Sequence, residues 1–196
     1  KNITHPEETY LLGKVNKMYI TTDGISSLAN NFNERPKSLP APVVKLGTIN
    51  FTGEISGFFD NLVAFGKLSS SIGSIQTDLI FGSNKDKNIA AYLRGRIASS
   101  NLRLHELFGE NNPFGEARFD INIDTRRPVG GNFSGNIQAQ VKEFDYKAYK
   151  YKDINLSGNF KKSSFDGTIH VNDPNGELYA QGIFQHQGQN SLFNFT

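Results

Sequence analysis

The stretch Phe165-Asp166-Gly167-Thr168-Ile169-His170-Val171-Asn172-Asp173-Pro174-Asn175-Gly176-Glu177-Leu178-Tyr179-Ala180-Gln181-Gly182-Ile183-Phe184 decides the fold class. Phe165, Gly167, Ile169 and Val171 fall on one side of an extended chain, and Asp166, Thr168, His170 and Asn172 fall on the other. Asp173-Pro174-Asn175-Gly176 supplies turn chemistry, with proline fixing φ at the second position. Leu178, Ala180, Gly182 and Phe184 then repeat the alternation on the way out. Two arms with one dry and one wet side around a tight turn predict a β-hairpin. A half-wet strand belongs to an antiparallel sheet solvated on one face, not to a parallel sheet buried on both.

The same period of two recurs upstream. Ile49, Phe51, Gly53 and Ile55 show it, as do Ile75, Thr77, Leu79 and Phe81, and Ile89, Ala91, Leu93, Gly95 and Ile97. It returns in Phe119, Ile121 and Ile123, in Phe133, Gly135, Ile137, Ala139 and Val141, and in Ile154, Leu156, Gly158 and Phe160. Phe144, Tyr146, Tyr149 and Tyr151 continue the strands, with aromatics packing and lysines solvating alternate positions of a strand pair. The expected fold is all-β: a long antiparallel meander with one continuous apolar face and one or two short helices. One helix is expected at Leu102–Phe108, capped by Ser100 or Asn101 and stopped by Gly109, Asn111, Asn112 and Pro113.

Residues 1–42 read differently. Tyr10-Leu11-Leu12 and Met18-Tyr19-Ile20 suggest two short strands broken at Gly13, and Thr22-Asp23-Gly24 caps a helix through Ile25, Leu28 and Ala29. Three prolines at 36, 40 and 42 make a linker before the hairpin region of 43–196. Within that region Phe51-Thr52-Gly53-Glu54-Ile55 echoes Phe133-Ser134-Gly135-Asn136-Ile137, and Tyr92-Leu93-Arg94-Gly95 echoes Tyr179-Ala180-Gln181-Gly182. Two copies of roughly 80 to 90 residues are the repeat this implies.

Composition narrows the chemistry. The 196 residues contain no Cys and no Trp, against 19 Gly, 16 Phe and 7 Tyr, and the net charge is +2. Without thiolates there is no cysteine nucleophile and no thiolate-held zinc or iron–sulfur cluster. No run of ~20 apolar residues marks a membrane helix. No basic block tracks a phosphate backbone, so nucleic acid is not an expected partner. The histidines His5, His105, His170 and His186 are widely separated and form no metal-ligand pair. Asp120, Asp124, Asp145, Asp153 and Asp166 fall on polar faces or in turns rather than in an apolar pocket that would raise a catalytic acid. Gly130-Gly131 leads into a strand, which leaves no helix N-terminus for a nucleotide phosphate. The residues point to no catalytic group, cofactor or metal.

Leu46-Gly47-Thr48-Ile49-Asn50-Phe51-Thr52-Gly53-Glu54-Ile55-Ser56-Gly57-Phe58, with Leu62-Val63-Ala64-Phe65-Gly66, resembles the TamB branch of the AsmA-like superfamily in its Bacteroidetes form. So do Gly135-Asn136-Ile137, Phe144 through Gly158, Phe165-Asp166-Gly167 and the turn at 173–176. This resemblance implies an internal piece of a longer, non-enzymatic envelope protein, anchored in the inner membrane and crossing the periplasm as a curved, open β-groove. It further implies phospholipid or other acyl chains as cargo, a role in outer-membrane protein assembly, and an Omp85-type outer-membrane partner held by other parts of the protein. The groove lining expected from parity is Ile49, Phe51, Ile55, Leu79, Phe81, Ile137, Val141, Leu156, Phe160, Phe165, Ile169, Val171, Leu178 and Phe184, with the apolar side concave. The competing expectation is a closed β-sandwich that binds glycans on Tyr146, Tyr149 and Tyr151.

Overall fold

Strands that alternate dry and wet must pair so that their dry sides coincide, because a slip of one residue would turn a whole strand over. The computed structural model, which describes residues 9–31, 44–58, 60–84, 87–109, 112–187 and 190–196, meets that condition throughout. Its strands are β1 (Tyr10–Ile20), β2 (Ile49–Phe58), β3 (Asn61–Ser70), β4 (Gly73–Asn84), β5 (Ile89–Arg103), β6 (Phe114–Pro128), β7 (Ser134–Tyr146), β8 (Tyr149–Lys161), β9 (Ser164–Asp173), β10 (Gly176–Gln187) and β11 (Asn190–Phe195). They form one 11-stranded sheet in sequence order, each strand antiparallel to the next. The fold is the all-β antiparallel meander that the alternation predicts. The sheet is open but uncurled, so the curvature expected of a groove with a concave apolar side is not present, and the described residues do not make the two packed layers of a closed sandwich.

Helices α1 (Thr22–Asn31) and α2 (Leu104–Phe108) interrupt the strands. Thr21, one residue earlier than the expected cap, starts α1: its Oγ1 accepts the Gly24 amide at 3.2 Å and its carbonyl accepts the Ile25 amide at 2.9 Å. Ser100 and Asn101 do not cap α2. Strand β5 continues through them by way of a bulge between Ser99 and Leu102, and pairs Leu102 with Ala117 and Arg103 with Glu116 before the helix begins. The extra bulge residue keeps Leu102 on the apolar face, where it is 6% exposed.

Another reading changes. Gly13 does not divide β1, which is continuous from Tyr10 to Ile20 and pairs with β2, so the described strand of segment 1–42 belongs to the same sheet as 43–196. The proline-rich stretch lies outside the described residues. Phe144 to Tyr151 is the end of one strand and the start of the next, joined by Lys147 (φ 49°) and Ala148 (φ 63°) in a two-residue turn of the type I′ kind. Neither residue is the Gly or Asn that advertises such a turn. The Lys147 amide is held by the Pro113 carbonyl at 2.8 Å.

The echoing segments lie five strands apart, β2 with β7 and β5 with β10. Strands an odd number apart in a meander run in opposite directions. No rigid movement then superposes one echo on the other while preserving both strand order and the apolar face, so the two echoes are not copies of one rigid structural unit.

Candidate functional site

The pairing register carries each dry-side residue across the sheet. Starting from Ala180, the row opposite Ile169 runs through Leu156, Ala139, Ile121, Ile97, Thr77, Gly66 and Gly53 to Val15 on β1. A second row runs Phe193, Phe184, Phe165, Phe160, Gly135, Thr125, Leu93, Phe81, Leu62, Gly57 and Leu11. Every residue proposed from parity falls on this one face: Ile49, Phe51 and Ile55 on β2, Leu79 and Phe81 on β4, Ile137 and Val141 on β7, Leu156 and Phe160 on β8, Phe165, Ile169 and Val171 on β9, and Leu178 and Phe184 on β10.

The face is dry in chemistry but not covered. Among the described hydrophobic residues only Phe51, Ile72, Leu102 and Ala117 are buried, while Leu178 and Phe193 remain 54% and 61% exposed. Fully burying one such side chain is worth ~1.5–3 kcal/mol, and most of this face has collected only part of it. One corner differs. There Phe108 of α2 meets Phe114 edge-on at 5.8 Å, Phe114 meets Phe144 and Tyr146 at 5.8 Å each, and Leu102 and Ala117 are buried beside them.

Glycine pairs and phenylalanine rings thin the face elsewhere. Gly53 stands opposite Gly66, and Gly158, Gly167 and Gly182 stand in line across β8, β9 and β10. A Cβ on Gly53 or Gly66 would lie 3.0 Å from the ring of Phe51, and one on Gly158 or Gly167 would lie 2.7 or 2.8 Å from Cζ of Phe165. These rings therefore lie along the sheet over the glycines, the aromatic-on-glycine arrangement that compensates for a missing side chain in a strand. The Phe-x-Gly spacing in the sequence was the available signal for it.

On the opposite face the central row is polar, Gln181, Thr168, Ser157, Gln138, Asn122, Arg96 and Asp78 standing opposite one another in turn, and it then meets Phe65 on β3, which is 59% exposed. Arg94 Nε donates to Asp124 Oδ2 at 3.0 Å, and Arg96 Nε donates to Asp120 Oδ1 at 2.7 Å. The Arg96 guanidinium holds the Asp120 carboxyl below its usual range. His170 Nε2 lies 2.9 Å from Glu177 Oε1 on the same polar face, and His105 lies 3.8 Å from Glu106. His5 lies outside the described residues. Two hollows open on this polar side: one of about 860 Å³ is lined by residues including Arg94, Arg126, Asn136 and Lys161, and one of about 570 Å³ by residues including Arg96, Asn122, Gln138 and Thr168.

The tyrosines of the expected sugar platform lie on the apolar face and are already engaged. Tyr149 packs edge-on against Tyr151 at 4.6 Å, and its hydroxyl donates to Asp173 and accepts the Asn175 amide at 2.7 Å. The bond to Asp173 raises the Tyr149 pKa and lowers that of the aspartate. Tyr149 thus ties the start of β8 to the β9–β10 turn.

No family model, no curated protein and no solved structure matches this chain.

Proposed function

We propose that this chain is a periplasmic segment of a TamB-like envelope protein whose apolar sheet face shelters lipid acyl chains between the inner and outer membranes. The observation that carries the reading is the uncovered apolar face itself, continuous from Leu11 on β1 to Phe193 on β11. A domain normally buries such a face under a second layer. Acyl chains are a fitting cover: they need no hydrogen bonds, tolerate a surface of mixed Phe, Ile, Leu and Gly, and gain ~0.8 kcal/mol for each CH₂ removed from water. In this reading the lane is the open apolar surface of the sheet, and a hollow on that side is not required.

Anchoring in the inner membrane and contact with an Omp85-type partner belong to the same proposal, on the strength of the sequence resemblance. Assistance to outer-membrane protein assembly has its own support. Strands β1 and β11 each pair on one side only among the described residues, which leaves backbone donors and acceptors able to take up an added strand. The glycan reading has less support, because the sheet is open and the Tyr149 hydroxyl is occupied.

The test is photo-crosslinking from Ile169 and Leu178 in the full-length protein in cell envelopes. Phospholipid adducts at both positions are expected. Absence of any lipid adduct at either would overturn the proposal, and glycan binding abolished by Tyr149→Ala would favour the sandwich-type function.

A further inference from the structure

The 860 Å³ hollow lies on the polar face, away from the proposed acyl lane, and spans strands β3 to β8 near the ends that carry the β4–β5, β6–β7 and β8–β9 turns. Lys87, Arg94, Arg126 and Lys161 line it, with Asp124 as the one carboxylate among the described lining residues. Asp124 is already taken by Arg94 at 3.0 Å. Lys87, Arg126 and Lys161 have no ion-pair partner among the described residues. The carboxylate of Asp166 belongs to the neighbouring strand, opposite Asn159, and is not part of the lining.

The register fixes how these cations stand. Arg126 is opposite Ser134, and Ser134 is opposite Lys161, so the two cations flank a serine from strands on either side of it. Two strand spacings put their backbones ~10 Å apart. One residue pair further along, Asn136 and Asn159 stand opposite each other on the same face. Two long cationic side chains with a hydroxyl and two amides between them make a set of donors with an excess of positive charge. A tetrahedral phosphate, which accepts several hydrogen bonds and binds guanidinium in a fork, is the group this set matches.

We propose that this hollow is a binding site for a phosphate group, with Arg126 and Lys161 as the clamping cations and Ser134, Asn136 and Asn159 as neutral donors. The phosphate belongs either to a soluble phosphorylated molecule or to a lipid headgroup. The site is on the opposite side of the sheet from Ile169 and Leu178, so it stands or falls independently of the acyl lane.

The test uses inorganic pyrophosphate as the soluble probe and vesicles of phosphatidylglycerol, with phosphatidylcholine as control, for the lipid arm. Binding is measured on the full chain by equilibrium dialysis and by vesicle flotation, and far-UV circular dichroism confirms that each variant is folded. Arg126→Gln and Lys161→Gln are each expected to weaken binding about tenfold, the loss of one charge-assisted hydrogen bond. Lys67→Gln removes the same charge from the same face outside the hollow and is expected to leave binding unchanged. Saturable pyrophosphate binding with this pattern identifies a soluble ligand; the same pattern with phosphatidylglycerol vesicles alone identifies a headgroup. Absence of saturable binding in both arms, or an equal loss in Lys67→Gln, would overturn the site.

Discussion

The two faces of this sheet are built from the same strands and the same backbone, yet they solve opposite problems. Across the middle of the polar face strands hand charges and amides to their neighbours, so Arg94 finds Asp124 and Arg96 finds Asp120. On the apolar face the side chains have only one another. At the α2 corner a five-residue helix is enough to bring Leu102 and Ala117 to 6% and 5% exposure, while Leu178, on the same face but far along the sheet, stays half exposed. Burial on this face is therefore uneven: Phe51 on β2 is also buried, at 4% exposure, while most of the other apolar side chains are only partly covered.

The largest effect that separates the faces is a charge on each. Ile169→Asp is expected to destabilise by ~2–3 kcal/mol in urea denaturation, since it sets a carboxylate among Leu156 and Ala180. Thr168→Asp, one residue away, is expected to stay within ~0.5 kcal/mol. Equal costs would break the face assignment. Glycine substitution probes the apolar side more locally. A Cβ at Gly167 meets the Ser157 carbonyl oxygen at 2.2 Å and the Phe165 ring at 2.8 Å, so Gly167→Val is expected to cost ~1–3 kcal/mol. Gly176→Ala, with open space around it, is expected to be neutral or to stabilise by ~0.4–1 kcal/mol through the unfolded chain.

Smaller still is the pH response of the polar face. Asp120 has its pKa lowered by Arg96, so the pair stabilises the fold above the ordinary carboxylate range and loses that contribution as pH falls through the lowered value. Thermal melts of Asp120→Asn should therefore fall below those of the parent near neutral pH and converge with them in acid. A constant gap at all pH values would contradict this. The smallest effect concerns one carboxyl: Tyr149→Phe removes the leading cause of the depression at Asp173, and its pKa, read by carboxyl NMR, should rise toward the usual range.

Much of this comparison was legible in the residues, because a period of two survives wherever the two sides differ in polarity. Phe165 to Phe184 gave both the hairpin and its faces, and the pairing extends the same assignment to Ile49 and Phe51 at the other side of the sheet. Strand β3 is harder to read: Leu62, Ala64 and Leu68 are backed by Val63 and Phe65, so the alternation that marks its neighbours is blurred. Lys147-Ala148 was invisible because it adopts left-handed conformations without glycine or asparagine, and the β5 bulge was invisible because its extra residue is recognisable only from the partner strand. The basic hollow was hidden for another reason. Arg126 and Lys161 are 35 positions apart in the chain and meet only through the register of β6, β7 and β8.

Photo-crosslinking from each of the seven consecutive positions Phe165 to Val171, in the full-length protein within cell envelopes, tests the central claim most directly. Lipid adducts are expected at Phe165, Gly167, Ile169 and Val171 and not at Asp166, Thr168 or His170, a yield that alternates with every residue along β9. A flat profile, or one peaking at the even positions, would contradict an acyl lane on the apolar face.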